Sequence, residues 1–381
     1  MKFQVNRDVF SEAVSFAVKL LPQRTTLPIL SGVLIETIET GLRLSSFDYE
    51  VSAQTEIVAD IEETGRILVS GRLLADIASR LPSAPVRFST EDNKIQVACG
   101  SAQFTLLSMP VEEYPTLPAV GSNSGMLPAE SFANAVAQVA VAASRDDVTP
   151  VITGVQLEVS PTSLSLVATD RYRVAVRDID WDADDSITAP MTALVPARTL
   201  VEIGKTFGHS GSIAVAITST DDRELIAFRA EKRTVTSLLI KGNFPPVKRL
   251  FPESVENYAV LNTAELIEAT RRVSLVLERE AALRFTFTVD GVTLEAIGSE
   301  QAQASETIDA FLTGTDTVVS LKPQFLLDGL GAVHSEFVRI SFTKTDNPNK
   351  PGPVLITSQS SRDQAGADSY KYLLQPNLLL R

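Results

Sequence analysis

Apolar residues recur every third or fourth position along three stretches of the chain. Between Arg7 and Leu21 the stripe is Phe10, Ala13, Val14, Ala17 and Leu20. Between Pro128 and Ala143 it is Phe132, Val136, Val139 and Ala140, and between Thr263 and Leu277 it is Leu266, Ile267, Thr270 and Val273. This spacing puts each set on one face of an α-helix. After each stretch the period drops to two, over Pro28–Glu36, Val151–Glu158 and Ala282–Thr288. The turn formers Glu39-Thr40-Gly41, Ser160-Pro161-Thr162 and Asp290-Gly291 then lead into partner strands, which predicts hairpins. A shorter helix recurs behind a strand, over Ile67–Ile77, Leu194–Ile203 and Val318–Leu330. Pro196 and Pro323 fall near its start, where a missing N–H costs little. Each stretch closes on more strands and a proline, at Met109-Pro110 through Pro115, Pro245-Pro246 and Pro376.

The plan therefore occurs three times, and a repeat governs the reading of the whole chain. The expected class is α+β, with three repeated domains, each of two helices packed on antiparallel sheets. The domains are expected at residues 1–124, 125–256 and 257–381. A repeated domain carries a repeated interface, and head-to-tail contacts close into a ring when the rotation allows. Unpaired sheet edges at the two ends of the series favour self-association. Edge candidates are Phe104, Leu106 and Leu107 in the first copy, and Val273, Leu275 and Leu277 in the third. The same residues also fit ordinary core positions.

Composition adds exclusions. Across 381 residues, 44% hydrophobic and 21% charged residues describe a globular chain rather than a disordered one. No apolar run reaches the roughly 20 residues of a membrane helix. Met1–Val5 opens into strand-like alternation, without the basic start and apolar stretch of a signal peptide. The single cysteine, Cys99, is expected to be a buried structural thiol and suits a reducing cytoplasm. His209 and His334 form no metal-spaced pair, and there is no Gly-rich phosphate loop, so neither metal nor cofactor is expected. Asp170-Arg171 reads as a salt bridge at a strand end. A hydrolase or transferase using Asp170 and His209, and a plain scaffold of repeated domains with no nucleic-acid partner, remain rival readings.

Four motifs resemble one family. Met1-Lys2-Phe3 with Thr26–Leu30 looks like the start of the bacterial replicative sliding clamps, the β subunits of DNA polymerase III. Ala168–Val176 resembles their central signature, and Phe244-Pro245 followed by Arg249 matches a third motif. The ending Tyr370–Pro376 matches a fourth. The resemblance implies a non-catalytic processivity factor, a head-to-tail homodimer whose six domains form a ring around duplex DNA. It also implies a pocket that takes short motifs from the polymerase III catalytic subunit, clamp-loader subunits, and other polymerases and repair proteins.

Carried over by motif, that pocket falls on Ile152, Thr169, Arg173, Val174, Pro245 and Arg249, with Leu250, Leu373, Leu374 and Pro376. Val174, Leu250, Leu373 and Leu374 supply apolar walls, and Thr169 and Arg173 polar anchors. The chain departs from the family pattern at Arg171 and Tyr172, where small or His residues are common, and in the apolar ending Asn377–Arg381. The net charge of −13 opposes DNA binding unless charge is partitioned. The expected channel helices (7–24, 72–80, 129–145, 197–207, 263–280 and 321–334) carry +2, which leaves −15 elsewhere. Arg24, Arg72, Arg145, Arg198 and Arg279 are the lining candidates, Arg24 by the family match.

Overall fold

The computed structural model describes residues 1–21, 25, 27–219, 224–278, 280–297, 302–344, 351–366 and 369–378. The chain divides into two compact units, Met1–Ala129 with Lys205–Leu239, and Glu130–Gly204 with Ile240–Arg381. Six α-helices occur among the described residues: α1 (Arg7–Lys19), α2 (Gly71–Ala78), α3 (Ala129–Ala140), α4 (Ala197–Phe207), α5 (Thr263–Val273) and α6 (Pro323–Gly331).

In the first unit, Asn6 caps α1 by accepting from the backbone N–H of Asp8 and Val9. The predicted stripe turns inward, and Phe10, Ala13, Val14 and Ala17 join one core with Phe3 and Phe88. Phe3 and Phe88 stack with centroids 4.7 Å apart. Cys99 is buried in that core, its Sγ 3.2 Å from the carbonyls of both Pro82 and Ala84. A five-stranded antiparallel sheet runs Asp60–Glu63, Lys2–Val5, Val86–Glu91, Lys94–Cys99, Ala102–Leu107. A larger sheet runs Gly125–Pro128, Ser212–Ser219, Glu224–Ala230, Arg233–Leu238, Val51–Ile57, Gly41–Phe47, Gly32–Ile38, Arg66–Ser70. Its central joint pairs Arg233–Leu238 with Val51–Ile57, antiparallel, from Arg233↔Thr55 to Ser237↔Val51.

The second unit repeats this joint. Its main sheet runs Met191–Pro196, Gly154–Val159, Leu164–Thr169, Arg173–Ile179, Lys371–Leu374, Val354–Ser361, Phe337–Phe342, Tyr258–Asn262, Phe311–Thr313. Here Arg173–Ile179 pairs with Lys371–Leu374, antiparallel, from Arg173↔Leu374 to Val176↔Lys371. Arg173–Ile179 is the counterpart, one repeat on, of Val51–Ile57. Lys371–Leu374 is likewise the counterpart of Arg233–Leu238. A four-stranded sheet runs Gln303–Ile308, Gly291–Ile297, Leu283–Thr288, Thr317–Leu321. Two members of the series thus end on open edges among the described residues. Ala102–Leu107 is the first copy's counterpart of Arg233–Leu238, and Gln303–Ile308 is the third copy's counterpart of Val51–Ile57.

Three expectations are corrected. Pro28–Ser31 and Pro150–Ile152 are 3-10 turns, so the strands start at Gly32 and Gly154. Proline at the head of each segment fixes φ and withholds the N–H that a ladder needs. The third copy's edge candidates are not on a strand: Val273 ends α5 and Leu275 lies in the 3-10 turn Ser274–Val276. Among the described residues no helix is long and apolar enough to cross a membrane.

Candidate functional site

The site grows from the tight turn between Leu164–Thr169 and Arg173–Ile179, in the second unit. Asp170 Oδ1 accepts from the backbone N–H of Tyr172 (3.1 Å) and of Arg173 (3.2 Å). Thr169 Oγ1 donates to the Arg173 carbonyl at 2.7 Å and accepts from the Arg171 N–H at 3.2 Å. Such side-chain bonds hold a turn that the strand ladder cannot. They also hold Arg171 at φ +80°, a left-handed conformation that an ordinary L-residue rarely takes. The carbonyl of Tyr172 then accepts from the Gln375 N–H at 2.9 Å, which ties the turn to the C-terminal segment.

Arg173 is the hub. Its side chain is only 6% exposed. Nε donates to Asp170 Oδ2 at 2.9 Å, and Nη1 donates to Asp328 Oδ2 at 2.6 Å and to the Tyr372 hydroxyl at 3.1 Å. Tyr372 in turn donates to the Phe325 carbonyl at 2.7 Å, and Gln324 Nε2 donates to Asp328 Oδ1 at 2.7 Å. The guanidinium lies 4.4 Å from the centre of the Phe325 ring. Burial works against the Arg173 charge, but Tyr372, Asp328 and Asp170 outweigh it and hold the group above its ordinary range. Burial likewise pushes the Tyr372 phenol well above its usual value, against the pull of Arg173. One cation therefore joins a turn, the helix α6 and the last strand.

Two clefts open beside this hub. The larger, about 540 Å³, lies between the 143–149 segment, the 170–173 turn and α6, and is lined by Ile152, Phe325 and Asp328 among others. The smaller, about 430 Å³, is lined by Val174, Leu250 and Leu373, with Pro351–Pro353 and Lys344. Arg171, Tyr172 and Arg173 line both. Tyr172 is 61% exposed and stacks on Phe325 at 5.9 Å, standing as the wall between them. Beneath the smaller cleft, Val174 and Leu373 belong to an apolar cluster with Val167, Val176, Val247 and Leu355. Volumes of this order suit a few side chains of a bound chain.

The structure sorts the candidates named from the sequence. Ile152, Arg173, Val174, Leu250 and Leu373 line one cleft or the other. Thr169 is buried and holds the turn from behind, and Leu374 is fully buried in the core. Pro376 is buried too, and neither Pro245 nor the exposed Arg249 lines either cleft. Asp170 pairs with Arg173, not with Arg171, which bonds to the Thr149 hydroxyl. Phe325, Asp328 and Tyr372 were missed. Tyr372 stands in the motif Tyr370–Pro376 without being singled out there, and no local pattern marks Phe325 or Asp328, because Arg173 meets Asp328 across 155 residues of sequence. Arg72, Arg145 and Arg198 are exposed, while Arg24 and Arg279 lie outside the described residues. Of the edge candidates, Phe104, Leu107 and Leu275 are exposed, whereas Leu106 and Val273 are buried within the chain. No group of three or more His, Cys, Asp or Glu side chains able to hold a metal occurs among the described residues.

Repeated α+β domains, joined strand to strand within each compact unit, define a modular repeat scaffold. Comparison with known proteins makes the assignment specific. Models of the DNA polymerase III beta subunit match in series: its N-terminal domain over residues 1–118, its central domain over 126–246 and its C-terminal domain over 248–363. The chain is 44% identical to the beta sliding clamp of Streptomyces coelicolor over 377 residues, covering 99% of each. It is 38% identical over 376 residues to a beta sliding clamp homolog, GriR, of Streptomyces muensis. The crystal structure of the beta subunit from DNA polymerase of Streptococcus pyogenes superposes with a TM-score of 0.90 at 25% identity, covering 100% of both chains. The chain belongs to the DNA polymerase III beta subunit family, the beta sliding clamps, which are non-catalytic processivity factors of replication. The rival reading of Asp170 and His209 as catalytic residues is thereby set aside.

Proposed function

We propose that this chain forms a head-to-tail homodimer, that the resulting ring encloses duplex DNA, and that the clefts around Tyr172 receive segments of polymerases and clamp-loader subunits. It would do so in the cytoplasm, with domain boundaries near residues 124 and 256. The observation that carries this is the repeated joint. The strand pairing of Arg233–Leu238 with Val51–Ile57 recurs as Lys371–Leu374 with Arg173–Ile179. The next pairing in the series would join Gln303–Ile308 of one copy to Ala102–Leu107 of another, and both are open edges among the described residues. Each copy offers one of each, so two identical contacts close the assembly. Exposed Phe104, Leu107 and Leu275 supply apolar surface for it.

A closed ring stays on DNA by topology, so its phosphate contacts need only be weak and exchangeable. Strong phosphate pairing would steepen the salt dependence and hinder sliding. Exposed Arg72, Arg145 and Arg198 are proposed to contribute such contacts, which carry little sequence information. The test pairs a solution mass with retention on DNA. A dimer that stays on nicked circular DNA and escapes when the circle is cut supports the reading. A monomer at micromolar concentration, or equal retention on both DNA forms, refutes it.

A further inference from the structure

A further cleft, of about 570 Å³, opens in the first unit, where α1 begins beside the end of the strand Val51–Ile57. Its apolar lining is Val5, Val9, Ile57, Val58, Ala59 and Pro85. Val9 is 41% exposed and Val58 68% exposed, so apolar surface reaches the rim. Three polar residues of the lining are already engaged. Gln4 Oε1 accepts from Arg87 Nε at 2.9 Å, Asn6 caps α1, and Glu56 accepts from Arg43 at 2.7 Å. Asp60 and Lys232 complete the lining with one charge of each sign. An apolar trough with balanced charges favours an uncharged occupant.

The repeat shows what shape of occupant the place accepts. In the first copy Val51–Ile57 is followed by Val58 and Ala59. Its counterparts are followed by Asp180 and Trp181 in the second copy, and by Asp309 and Ala310 in the third. Ile57, Ile179 and Ile308 are buried alike, and the residue after each is exposed. At that exposed position two copies carry aspartate, where the first carries valine. An apolar residue kept at such a place marks a contact surface. The next position differs more. Trp181 is only 8% exposed, so the second copy covers this place with its own indole. Ala310 is buried as well, whereas Ala59 is half-buried and borders the cleft.

We propose that this cleft is a docking site for a partner segment that inserts an uncharged aromatic side chain, tryptophan by preference. The partner supplies the ring that Trp181 supplies one repeat further on. Aromatic rings bury a large apolar area per side chain and dominate contacts of this kind. The inference needs neither the ring of two chains nor the clefts around Tyr172.

The test titrates two capped tripeptides, Ala-Trp-Ala and Ala-Ala-Ala, against full-length protein with labelled valine and isoleucine methyl groups. In NMR spectra the tryptophan peptide should shift the resonances of Val9, Ile57 and Val58 with a dissociation constant of about 1 mM, and the alanine peptide should shift none. Ala59→Trp copies the second repeat. It should melt at or above the wild-type temperature and remove the response of Val9 and Ile57. Val58→Asp copies the exposed position of the other two repeats. It should leave the melt unchanged and weaken binding about fivefold or more. Should Ala59→Trp unfold the protein, Val58→Asp decides the outcome. Equal responses to the two peptides, no response to either, or a tryptophan response that survives the substitutions would each overturn the proposal.

Discussion

Arg173 answers to three groups at once. Two carboxylates and a phenol converge on a guanidinium that is almost wholly enclosed. Removing the cation strands Asp170 and Asp328 without removing their desolvation. Arg173→Ala should therefore cost about 3 kcal/mol or more, read from the denaturant midpoint. Arg173→Lys should recover only part of this, since one ammonium cannot reproduce the fork that reaches Asp170 and Asp328 together. Tyr372 yields a pH prediction. Burial raises its folded-state pKa above the unfolded phenol value, so the stability it lends is complete below about pH 10 and drains away as pH climbs toward the folded value. Tyr114, pushed up to about 12 mainly by burial, acts in the same sense. Denaturation midpoints should thus fall above about pH 10, and less steeply in Tyr372→Phe. The sequence signalled only part of this hub. Asp170 and Arg173 stand in one motif, but neighbours in sequence invite the pairing of Asp170 with Arg171. The turn instead sends Arg171 outward and brings Arg173 back to the carboxylate three residues before it. Asp328, Phe325 and Tyr372 enter only through tertiary folding.

Helices were the most legible elements, because a stripe every third or fourth residue survives whatever it packs against. Phe10, Ala13, Val14 and Ala17 in α1 and Leu266, Thr270 and Val273 in α5 face inward as the periodicity predicts, while Phe16, Thr263 and Ala269 are buried outside the predicted stripes and Ile267 is only half-buried. Strand starts were less legible, since Pro28 and Pro150 carry the apolar alternation into 3-10 turns. The edge of the third copy was misplaced for a related reason. Val273 and Leu275 are the more hydrophobic positions, whereas the open strand is the polar Gln303–Ile308. An edge is defined by the absence of a neighbour, which no residue type announces. Contact between elements gives a sharper test at α6. A Cβ on Gly329 would sit 2.6 Å from the Tyr372 ring. Alanine is the better helix former by about 1 kcal/mol, yet overpacking against a buried ring costs about 1–3 kcal/mol. Gly329→Ala should therefore be destabilising in thermal melts, and it should weaken peptide binding by displacing Phe325 and Asp328. At the other helix type, Asn262 caps α5 by accepting from the Glu265 N–H at 3.0 Å. Asn262→Ala should cost about 1 kcal/mol in the same measurement, with peptide affinity spared.

For the whole molecule, the proposed ring depends on the free energy of closing two identical contacts at once. In a ring of two chains, any substitution at the open edge acts twice, so a modest local cost becomes a large shift in the dimer equilibrium. Leu107 is 68% exposed on the outer strand Ala102–Leu107, and the core is built from other residues. Leu107→Asp should leave the circular dichroism spectrum and the melting of the monomer near those of the wild type. It should also place a desolvated carboxylate in each contact, at a cost of about 1–3 kcal/mol apiece. Two such costs correspond to a weakening of the dimer by about a factor of 30 to 20,000. Sedimentation at micromolar concentration should then report a monomer, and retention on circular DNA should be lost. Peptide binding should persist, because the clefts are built from residues of the second unit alone. A variant that remained dimeric would mean that the chains meet by some other surface. The repeated strand joint would then describe only how each chain holds itself together.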